Sequence, residues 1–151
     1  MSYLSLLLII IITILIIIIA ILFTIAIDNL ARLPNLSDSL NNRILDNVVS
    51  IGSFIIIFII FLIALGLTIS ILIFYNLQKG TISNLSFYLI LTMIISFIGL
   101  LILEIHLYSE INIFKKEVND IIVTQSINYI FWGIALTIIA FILSLILALT
   151  F

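Results

Sequence analysis

The residues best equipped for chemistry fall in one run, "LLILEIHLYSE", where Glu104, His106 and Glu110 follow a long apolar stretch that ends at the only histidine of the chain. A carboxyl and an imidazole two residues apart could relay a proton or hold an ion, and an ionisable group within a membrane span is a functional candidate by default. Helix geometry separates them, because Tyr88, Thr92, Ser96, Gly99, His106 and Glu110 share one face while Glu104 points roughly 120° away. Depth also argues against a site. Counted from Leu85, about 19 residues cross the hydrocarbon before Glu104 is reached, so both groups are expected at headgroup level beside Tyr108, an interfacial aromatic. There His106 and Glu110, one turn apart, could pair on the helix surface.

The elements that must carry these residues follow from composition. With 66% hydrophobic residues, 8% charged and a mean hydropathy of +1.57, the chain lies far from soluble globular proteins, in which roughly a quarter of residues are charged. A membrane helix needs about 20 mostly apolar residues. Four stretches supply them: Leu4 to Ile27, Val48 to Tyr75, Leu85 to Leu103 with the helix continuing to Tyr108, and Ser126 to Phe151. The expected fold is all-α, one membrane domain over 1–151 whose four transmembrane helices form an antiparallel bundle, with no room for a soluble domain. The first span resembles a secretory signal only loosely, since its apolar core is too long and its start carries no basic residue, so it is expected to be retained.

The connections are unequal. Residues 28–47 hold the only proline, Pro34, then Asn35, Ser37, Asp38 and Ser39, all of helix N-cap type. Leu36, Leu40, Ile44 and Val48 recur every four residues, so the second helix is expected to start before the membrane. Asn76 to Asn84 is a tight link with Gly80. Residues 109–125 place Ile111, Phe114, Val118, Ile121 and Ile122 at helical spacing, which fits either an interfacial amphipathic helix between spans three and four or those spans projecting beyond the lipid.

Because successive spans alternate direction, the first and third connections share a side. That side holds all seven acids (Asp28, Asp38, Asp46, Glu104, Glu110, Glu117, Asp120) and four of the five basic residues (Arg32, Arg43, Lys115, Lys116); only Lys79 lies opposite. The basic residues place this side in the cytoplasm or its equivalent. Arg32, Asp38, Arg43, Asp46, Glu110, Lys115, Lys116, Glu117 and Asp120 form the expected partner-facing surface.

Within lipid, helices associate at small and hydroxyl-bearing residues. On the fourth span Ser126, Gly133 and Ala140 recur at seven, as do Thr137 and Ser144, a spacing that favours left-handed crossing. On the third span Thr92, Gly99 and His106 recur at seven with Ser96 beside them, and these are expected to face that stripe. The second span has two small faces, Gly52, Gly66 and Ser70 on one and Ser50, Ser53, Ala64 and Thr68 on the other, which would seat it between two neighbours. The first span, with only Thr13, Ala20 and Thr24, is expected to be the most lipid-exposed or to meet another subunit.

Other chemistries lack their residues. One histidine and no cysteine leave no paired haem ligands, no thiolate metal site and no cysteine nucleophile. No glycine-rich phosphate loop or G-x-S-x-G turn occurs. No cofactor, metal or nucleic-acid partner is expected, and no enzymatic activity. The expectation is a structural or accessory subunit of a larger membrane assembly, bound by the lipid bilayer and by protein partners on the side of residues 28–47 and 109–125. A respiratory-type complex or the internal membrane of a virion would suit it. A homo-oligomeric pore lined by the Gly133 and Ser144 stripe is the alternative, and a proton-handling subunit using Glu104 and His106 is a third. Roughly a quarter of the residues are Ile, a bias that speaks of a prokaryotic, organellar or viral source and not of function.

Overall fold

A computed structural model describes residues 3–33, 39–80, 84–117 and 121–151. They form four helices: α1 (Tyr3–Ala31), α2 (Ser39–Lys79), α3 (Asn84–Glu117) and α4 (Ile121–Leu149). All four are long and apolar enough to cross a membrane. Helix is what such sequences must form there, because each backbone N–H and C=O is then satisfied within its own segment. α2 stops at Gly80, which adopts the left-handed conformation (φ 65°). A residue with a Cβ is strained in that conformation, so glycine is the usual choice for turning a chain out of a helix. Gly80→Ala is expected to cost about 1 kcal/mol, measured as a lowered midpoint of thermal unfolding in detergent.

The helices pack in a square. α1 lies against α2 and α4, and α3 against the same two; among the described residues neither diagonal pair brings its backbones close. The buried positions step by four and three alternately. On α3 they are Ser86, Ile90, Met93, Phe97, Leu100, Glu104, Leu107, Ile111 and Phe114, and the other helices follow the same rule. That seven-residue repeat is the signature of left-handed, knobs-into-holes packing. Outward positions are equally apolar, with Ile57, Ile71, Ile95 and Ile102 among the most exposed, as a lipid-facing flank requires.

Three glycines let the helices approach closely, and all three receive a side chain from α1. A Cβ on Gly133 would stand 2.5 Å from the Phe23 ring, one on Gly66 2.6 Å from Thr13 Oγ1, and one on Gly52 would collide with Ile27. The first span is therefore no peripheral helix. Its own scarcity of small residues misleads, because it supplies the knobs while its neighbours supply the holes.

Other seam expectations divide. The stripe Ser126, Gly133, Thr137, Ala140 and Ser144 on α4 is fully inward. On α3, Thr92 is exposed and bonds to its own helix at Tyr88 O (3.0 Å), while Ser96 and Gly99 are only half-buried. Gly99 faces Phe58 of α2 and not α4. On α2, Gly52 and Gly66 are buried and Ser70 half-buried, whereas Ser50, Ser53, Ala64 and Thr68 lie on the outer face. Ser53 and Thr68 each donate to the carbonyl four residues back (2.9 and 2.8 Å). A hydroxyl so occupied needs no partner helix, which is why it can face lipid and why it marks a seam poorly.

α2 begins at Ser39, nine residues ahead of the apolar run from Val48, although Pro34, Asn35, Leu36, Ser37 and Asp38 lie outside the described residues. Among the described residues no separate interfacial helix follows α3. It runs unbroken to Glu117 with Ile111 and Phe114 still inward, and α4 starts at Ile121; Val118 and Asp120 lie outside the described residues.

Candidate functional site: a buried carboxyl between α3 and α4

Glu104 occupies a core position. The 3-4 repeat that carries Phe97 and Leu100 inward carries the next residue of the series inward too, and Glu104 is wholly buried. It does not stand at the surface, contrary to the expectation from counting along the span. It precedes Tyr108 by four residues, about 6 Å of helix, and helical side chains lean toward the N-terminus, which here leads deeper into the bundle. Tyr108 stacks near Phe131, which in turn meets Trp132 edge-on (centroids 6.4 and 5.8 Å). This aromatic cluster marks the charged end of the span.

Opposite Glu104 stands Thr137, near the middle of α4. Thr137 Oγ1 lies 2.9 Å from Glu104 Oε1 and 2.8 Å from Gly133 O. The second carboxyl oxygen, Oε2, has no hydrogen-bond partner, and neither has the buried Ser126 Oγ. Ser126 sits on the same stripe of α4, eleven residues or about 16 Å nearer the charged end. Composition hides this pair well. Glu104 was visible as an ionisable residue and Thr137 as a seam residue; their meeting depends on the relative rotation of two helices whose inner and outer faces are equally oily.

His106, two positions on, is exposed. It faces away from Glu104, so the two cannot form a relay. Among the described residues no three His, Cys, Asp or Glu side chains gather as metal ligands. The stripe assigned to a possible pore is already filled: Phe23 occupies the hollow at Gly133, and Ser144, fully buried, donates to Phe141 O (2.6 Å).

The two ends differ. At the end bearing Lys79, polar side chains tie helices together, with Ser5 Oγ 2.7 Å from Thr150 Oγ1 and Asn76 Nδ2 donating to Ser86 Oγ (3.4 Å). At the other end Arg32, Arg43, Asp46, Lys115 and Lys116 are exposed and Glu110 is half-buried. Arg32 pairs with Asp28 on its own helix at 3.2 Å, with both side chains largely in the open. Glu117 closes α3, and Asp38 and Asp120 fall outside the described residues. Against known proteins, no family model, no curated sequence and no solved structure matches this chain.

Proposed function

We propose that this multi-pass membrane protein is a non-enzymatic structural or accessory subunit of a larger membrane assembly, such as a respiratory-type complex or the internal membrane of a virion. One observation carries the reading: the molecule is apolar around its whole flank and charged at one end. Most of that charge rides on the helical extensions of α2 and α3, where Arg43, Asp46, Lys115 and Lys116 are exposed. The flank anchors; the charged end recognises a protein whose charges complement its own. Electrostatic pairing of this kind selects partners and fixes register more than it adds raw affinity.

Cross-linking in native membranes, followed by purification in mild detergent, tests the proposal. A stoichiometric protein partner is expected, and it should be lost when Arg43, Lys115 and Lys116 are all changed to Glu. The purified chain in liposomes is expected to conduct no ions. Flux through the chain alone, abolished by Ser144→Leu, would replace the structural reading with a pore.

A further inference from the structure

Thr137 has one hydroxyl hydrogen and two acceptors within bonding distance, Gly133 O at 2.8 Å and Glu104 Oε1 at 2.9 Å. That hydrogen makes a full bond to only one of them and reaches both only as a weaker bifurcated bond. Both contacts are full hydrogen bonds at once when Glu104 supplies the second hydrogen. The carboxyl O–H then donates to Thr137 Oγ1, and Thr137 donates onward to the helix carbonyl. Every hydrogen has an acceptor in this chain, and the orphaned Oε2 is merely the carbonyl oxygen of an acid. With an ionised Glu104 the same geometry would leave a full charge in the core with a single donor, the arrangement proteins avoid most strongly.

The surroundings agree. Glu104 is the one acid or base among the fully buried residues described, and no inward position of α1, α2 or α4 carries another. Of the charges of the nearer end, Asp28, Arg32, Arg43, Asp46, Lys115 and Lys116 are exposed, and Glu110, six residues or about 9 Å further along α3, is half-buried. Lys115 is eleven residues along α3, about 16 Å away. Between Glu104 and the second unpartnered oxygen, Ser126 Oγ, the inward positions are Leu107 and Ile111 on α3 and Gly133, Ile130 and Ile127 on α4, so apolar residues separate the carboxyl from the charged end.

We propose that Glu104 and Thr137 form a proton-binding site within the membrane domain, in which the carboxyl holds its proton on Oε1 and Thr137 accepts that hydrogen bond. The ligand is the proton itself, held in an occluded position, and His106 takes no part. This site is independent of the structural role proposed above, since it needs neither the charged end nor a partner.

Infrared spectroscopy of the purified full chain at neutral pH tests it without altering the fold. Glutamate labelled with ¹³C at the side-chain carboxyl enters three positions, Glu104, Glu110 and Glu117. A carbonyl stretch typical of a protonated carboxylic acid is expected, and it should shift on labelling. Glu104→Gln should abolish that band, and Thr137→Val should keep the band but move its frequency, which a packing role alone would not do. If labelling moves only carboxylate bands at neutral pH, Glu104 is ionised and the proposal falls. It also falls if the acid band is unmoved by Thr137→Val, because Thr137 is then not its acceptor.

Discussion

Gly133→Leu should destabilise the bundle by roughly 3 kcal/mol, the upper part of the usual range for forcing bulk into a packed core. Even the first added carbon would stand 2.5 Å from Phe23 Cε2 and 2.9 Å from Cδ2, and an aromatic ring wholly buried between helices cannot bend away. Phe23→Ala should cost about 3 kcal/mol, the low end for a core phenylalanine. In water part of that cost is transfer of apolar surface; between a lipid environment and this core the transfer is nearly even, and lost packing contacts remain. Together the two changes should cost less than their sum, since leucine then fills the space the ring vacates. Thermal unfolding in detergent, followed by circular dichroism and read as a double-mutant cycle, measures this. Strict additivity would mean that α1 and α4 do not meet at this point.

Substitutions at Glu104 should split by sign. Glu104→Lys sets a charge with no partner among apolar side chains and should cost on the order of 3 kcal/mol, as for lysine at the centre of a membrane helix. Glu104→Leu should be neutral or stabilising by about 1 kcal/mol, because a well-packed apolar residue often outperforms a buried polar group of similar volume. Reversible unfolding in mixed micelles separates these outcomes. A Glu104→Leu variant weakened by more than about 1 kcal/mol would show that the bond to Thr137 is needed to hold α3 against α4.

The fold was legible in the sequence because the membrane imposes it: four apolar runs of sufficient length, short connections and charge on one side leave few arrangements other than an antiparallel bundle. The rotation of each helix was much less legible. In a soluble bundle the polar face identifies the outside, but here Ile102 faces outward and Ile90 inward and nothing in their chemistry distinguishes them. Small residues recovered part of the answer. Gly52, Gly66 and Gly133 mark true close approaches, whereas Thr92 and Thr68 satisfy themselves along their own helices and mislead. Glu104 was misplaced because length along the span was weighed and the heptad phase was not. The series from Ser86 through Met93 and Phe97 to Leu100 is interleaved with equally apolar neighbours, so the phase that turns Glu104 inward emerges only once α3 is packed.

Two of the four helices, α2 and α3, extend well beyond their apolar spans at the charged end, and the other two much less. α2 starts nine residues before Val48 and α3 continues nine residues past Tyr108, whereas α4 begins five residues before Ser126 and α1 ends at Ala31, four residues beyond Ile27. Each long overhang spans about 14 Å and remains packed through Leu45, Ile111 and Phe114, all buried. The charges that α2 and α3 carry there, Arg43, Asp46, Lys115 and Lys116, are therefore held on packed helix and not on loose tails.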